Sequence, residues 1–68
     1  MKFEYDKKAD AAYIYLRYPI EDKECKRTVE LNENIILDFD KSNKLIGVEI
    51  LNASKILSKE TIEEAIPA

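Results

Sequence analysis

The chain has 68 residues, a formal charge of -3, no histidine, no tryptophan and a single cysteine, Cys25. At that length it makes one small domain, residues 1–68, with a limited core. One cysteine excludes an internal disulfide staple, and the lack of histidine leaves too few ligands for a structural zinc site. The 46% hydrophobic content is too high for a disordered chain, and the acidic balance disfavours nucleic acid as a partner. No apolar run reaches the roughly 18 residues of a membrane span, and Met1–Glu4 is unlike a secretory leader. The expectation is a cytoplasmic domain that gains stability by pairing with a second copy.

Lys2–Tyr5 reads as a first strand, and Asp6–Asp10 as a turn, where Asp bonds its own backbone. Ala11–Arg17 alternates with period two. Ala12, Ile14 and Leu16 point one way, and Tyr13, Tyr15 and Arg17 the other. Tyr18–Cys25, with Pro19, is a polar connector whose length suits a loose hairpin loop. Lys26–Leu31 resumes the alternation with Val29 and Leu31 inward. After the tight Asn32–Asn34 connection, Asn34–Asp40 and Leu45–Leu51 form a central hairpin. Asn52–Leu57 reads as a helical turn. Ser58 then caps a helix over residues 58–66, with Glu60 in its first turn and Ile62, Ala65 and Ile66 as its apolar stripe. The predicted fold is α+β, an antiparallel β-meander of four to five strands with the C-terminal helix packed on one face.

Two separated motifs carry a resemblance. Tyr5-Asp6, Ala9-Asp10-Ala11, Tyr13-Ile14 and Leu16 come first; Ile36-Leu37-Asp38, Gly47–Leu51 and Ala53-Ser54 follow. Over about residues 3–55 the chain resembles the small prokaryotic family catalogued as domain of unknown function 2283 (DUF2283). The resemblance implies a compact α+β domain without an assigned activity, and it transfers no catalytic or binding residue. The central turn carries Asn43 where such proteins often have Gly, and Asn also reaches the left-handed region.

Several residues invite chemistry. Counted from Asp38, the residues Asp38, Asp40, Ser42 and Glu49 fall at positions one, three, five and twelve of a calcium loop. Asn43 replaces its glycine, however, and the flanks are strands, so an acidic hairpin turn is the ordinary reading. Arg17 could grip a carboxylate or phosphate in a forked geometry, or pair with Asp38 or Glu49 on a solvated face. Glu49 within an apolar run would need a second group and a pocket to act as an acid or base. Asp6 and Asp10 sit where a turn wants Asp. Cys25 has acidic neighbours and no histidine to activate it. Gly47 marks close backbone approach or a bulge.

The expected function is therefore protein interaction without catalysis: no catalytic residue, no cofactor and no metal ligand. The expected interaction face is the side of the sheet away from the helix, with Tyr13, Tyr15, Arg17, Ile36, Asp38, Leu45, Glu49 and Leu51. Its apolar members suggest a homodimer, with edge-to-edge pairing through the first strand as a second route. Acidity suggests a small basic protein, which this chain would neutralise, as a further partner. The alternative is a small-ligand or metal-binding domain using the same face.

Overall fold

The computed structural model describes residues 1–68. Five strands fall where period-two alternation placed them: β1 (Lys2–Asp6), β2 (Ala11–Tyr15), β3 (Arg27–Glu30), β4 (Ile35–Phe39) and β5 (Leu45–Leu51). Two short helices, α1 (Ala53–Ile56) and α2 (Lys59–Glu63), and a two-residue strand, β6 (Ile66–Pro67), complete the chain. The class is α+β, and the sheet order is β3-β4-β5-β2-β1-β6. All pairs are antiparallel except β1 with β6, which is parallel.

This order is not a plain meander. β2 pairs with β5 rather than with β3, so the 18–25 connector is a crossover and not a hairpin loop. Burial accounts for the choice. β5 carries Ile46 and Ile50, exposed by only 2% and 5%, and belongs in the middle. β3 exposes Arg27, Thr28 and Glu30 and suits an edge, where charged side chains blunt further pairing. The crossover is anchored by Leu16 N–H to the Ile46 carbonyl (3.0 Å) and Lys26 N–H to the Phe39 carbonyl (2.9 Å).

The C-terminal helix is also shorter than expected. Ser58 does cap it, its hydroxyl accepting from Thr61 N–H at 3.1 Å, and Glu60 lies in the first turn. The helical hydrogen bonds stop at Ala65, and Ile66 turns extended beside Glu4. A residue preceding proline is pushed out of the helical region, so Pro67 ends the helix before Ile66 can join its stripe. Ile66 and Pro67 cover the outer edge of β1, which Ala68 N–H closes by donating to the Tyr5 carbonyl (3.0 Å). β1, expected as a bare edge, is flanked by β6 along Glu4 and Tyr5, and the edge strands of the sheet are β3 and the two-residue β6.

The register sorts side chains onto two faces. One row runs Val29–Leu37–Val48–Ile14–Phe3, and the next Ile35–Ile50–Ala12–Tyr5. These make the helix-side face. Ala12 is small enough for α1 to settle on the sheet, and Ala12, Ile50 and Ala53 form the buried cluster. Phe3, Tyr5, Ile14, Val48 and Leu57 pack around it, and none of these comes from β3 or β4. Leu31, expected inward, lies just past β3 and is 62% exposed.

Candidate functional site

On the open face, opposite the helices, the rows read Thr28–Asp38–Gly47–Tyr15–Lys2 and Glu30–Ile36–Glu49–Tyr13–Glu4. Tyr13 stands opposite Glu49 but leans diagonally across β5. Its hydroxyl donates to Asp38 Oδ2 on β4 at 2.5 Å, and Thr28 on β3 donates to Asp38 Oδ1 at 2.9 Å. The ring passes directly over Gly47. A Cβ built there would lie 2.0 Å from the Tyr13 hydroxyl oxygen, so only glycine permits the crossing. Burial, followed by the hydrogen bond to Asp38, pushes the Tyr13 phenol well above its ordinary range.

Behind Tyr13 the aromatics continue. Its ring centroid lies 4.6 Å from that of Tyr15, and Tyr18 meets Tyr15 edge-on at 5.1 Å. Lys2 closes this end of the face, 4.2 Å from the Tyr18 ring centroid and 3.2 Å from Glu4. Hydrogen bonds from Tyr15 and Lys2 hold Glu4 below the usual carboxylate range.

The structure thus gathers Tyr13, Tyr15, Ile36, Asp38, Glu49 and Leu51 on the open face. Two expected members lie elsewhere. Arg17 is beyond the end of β2, donating to Glu24 at 2.5 Å and sitting 3.7 Å from Asp40, so its expected pairing with Asp38 or Glu49 is corrected. The crossover carries Arg17 off the sheet plane and offers it nearer carboxylates. Leu45 is displaced by a bulge. The register slips between Asp38 and Phe39, so Leu45 opposes Phe39 and leaves the alternating set of Gly47, Glu49 and Leu51.

The calcium-like residues do not converge. Asp38 is engaged by Tyr13 and Thr28, while Asp40 Oδ1 accepts the Ser42 and Lys44 amides, each at 2.9 Å. Those amides hold Asp40 below its ordinary value, and Asn43 supplies the positive φ of the turn. Cys25 Sγ faces the Thr28 hydroxyl at 3.6 Å.

A second polar cluster ties the β1–β2 turn to α1. Asp10, at φ 52°, accepts from the Tyr5 hydroxyl (2.8 Å), Ser54 N–H (3.0 Å) and the Ser54 hydroxyl (2.7 Å). Its own carbonyl accepts from Ala53 N–H at 2.9 Å. The Ser54 hydroxyl and then Tyr5 hold Asp10 below the usual carboxylate range. Sequence reasoning assigned Asp10 only to its turn. The signal for the rest was the joint presence of Tyr5, Asp10 and Ala53-Ser54 in the two motifs.

The segment that carries β1–β5 matches a known family. The profile described as protein of unknown function (DUF2283) matches residues 2–54, and the chain belongs to that family. A relative from Methanocaldococcus jannaschii, an uncharacterized protein, is 36% identical over 58 residues, covering 85% of this chain and 46% of that protein. The chain therefore spans about half the length of that relative. No solved structure matches. The matched segment ends at Ser54, whose hydroxyl closes the Asp10 cluster. No helix is long and apolar enough to cross a membrane.

Proposed function

We propose that this protein is an interaction module that works by contact rather than catalysis, and that it pairs with a second copy of itself. The observation carrying this reading is the β3–β4 half of the helix-side face. Val29, Ile35, Leu37 and Phe39 lie there only partly buried, with neither helix above them and Arg27 stacked on the Phe39 ring at 4.4 Å. A 7.9 kDa monomer of ordinary shape exposes about 4,400 Å², whereas this chain exposes 4994 Å². The excess is of the order of one partner's share of a small dimer interface.

The open face suits self-pairing less well. Its central row carries Glu30, Glu49 and Glu4, and two-fold pairing there would set carboxylates against carboxylates. That acidic row is better suited to a basic protein partner, with Ile36 and the tyrosines providing contact area. Light scattering at micromolar concentration tests the pairing. The expected result is a dimer that Leu37→Glu dissociates and Tyr15→Glu spares, with unchanged circular dichroism. A wild-type monomer throughout that range overturns the reading.

A further inference from the structure

Where the crossover passes over the β4–β5 turn, the two segments enclose a cleft of about 590 Å³ lined entirely by polar and charged side chains. That volume lies within the range of small-molecule sites, but such sites are mostly lined by hydrophobic residues and this one has none. Its occupant must be correspondingly hydrophilic.

Charge accounting gives the sign of that occupant. Four cations line the cleft: Arg17, Lys23, Lys26 and Lys41. The two carboxylates present are already engaged. Glu24 accepts from Arg17 and from Glu21 N–H (2.9 Å), and Asp40 accepts the turn amides and lies beside Arg17. The three lysines have no carboxylate within ion-pair distance, so three unpaired lysines border one cleft in a protein of net charge -3. Arg17 meets Glu24 and lies 3.7 Å from Asp40, and its guanidinium has further N–H donors beyond these contacts.

We propose that this cleft is an anion site that takes a small phosphorylated molecule. A phosphoryl group carries close to two negative charges at neutral pH and several strong acceptor oxygens, which matches lysine point charges beside a guanidinium. The lining carries four cations and two carboxylates, so a lone carboxylate would leave half of the net positive charge unanswered. Two bonds tie the end of the connector to the β4–β5 hairpin beside the cleft: Lys26 N–H on the Phe39 carbonyl, and Arg27 donating to Asn43 Oδ1 at 2.7 Å.

The test is titration of the full chain with inorganic pyrophosphate at about 0.15 M ionic strength, which screens diffuse surface attraction. Backbone amide NMR shifts give the readout. The expected result is saturable binding with shifts confined to residues 17–26 and 40–44. The Lys23→Glu, Lys41→Glu pair should weaken it by about tenfold or more, whereas Lys7→Glu with Lys8→Glu should leave it unchanged. The charge-neutral pair Lys23→Gln, Lys41→Gln should give a smaller loss and serves as the check if charge reversal perturbs the fold. Shifts that fail to saturate, that spread over lysines elsewhere, or that survive both cleft variants would overturn the assignment.

Discussion

Replacing Gly47 with alanine tests the arrangement on the open face most directly. The added Cβ would meet the Tyr13 hydroxyl oxygen at 2.0 Å, Cζ at 2.6 Å and Cε1 at 2.8 Å, so the ring must swing away. The backbone is no obstacle, since Gly47 does not occupy the positive-φ region. Displacing the ring removes the bond to Asp38, about 1.5–3 kcal/mol for a carboxylate acceptor. It also loosens the Tyr13–Tyr15 pair, about 0.5–1.5 kcal/mol. Alanine's advantage over glycine within a strand offsets about 0.5–1 kcal/mol of this. Because the site is partly exposed, we expect a net loss of about 1–3 kcal/mol, read as a lower urea midpoint at unchanged slope. The decisive measurement is the double-mutant cycle with Tyr13→Ala. Without the ring, Gly47→Ala should be neutral or stabilising by about 0.5–1 kcal/mol. Equal destabilisation in both backgrounds would refute the crossing as the reason for the glycine.

Further expectations concern the Asp10 cluster and pH. Ser54→Ala should lower the midpoint of chemical denaturation, since Asp10 loses a hydroxyl donor while its amide donor remains. Asp10, Asp40 and Glu4 are all held below their ordinary values, so the unfolded chain binds more protons in acid. Their contribution is present above the ordinary carboxylate value of about 4 and is lost as pH falls below it; Asp10→Asn should flatten that acid limb. Tyr13, Tyr5 and Tyr15 are raised, so their contribution is complete below pH about 10 and is lost as pH rises further. Tyr13→Phe should flatten the alkaline limb, and an unchanged profile would count against the Tyr13–Asp38 bond.

Strand positions were readable because alternation with period two reports which residues face the core, and all five principal strands lie where that pattern put them. Their order was not readable. A polar connector around Pro19 can turn back or cross over, and what decides is the burial that β5 gains between β4 and β2. β6 was hidden for a related reason: Ile66 fits a helical stripe by spacing, and only Pro67 argues for extended backbone. The open face was legible as a set, since alternation alone brings Tyr13, Asp38 and Glu49 together. The contacts within it were not. Tyr13 reaches Asp38 two strands away because Gly47 leaves room, and Arg17 follows the path of the crossover.

The pairing of β2 with β5 has a kinetic consequence. β1–β2 and β4–β5 are each closed by a short turn and can form locally within microseconds. Joining them means bringing Tyr15 and Gly47 together across the whole β3–β4 region, a non-local step whose chain entropy is lost before the contacts return it. Docking of one hairpin on the other is therefore the expected barrier. Truncation of Ile14 or Ile50 at that seam should slow refolding, while truncation of Val29 on the outer strand should chiefly accelerate unfolding.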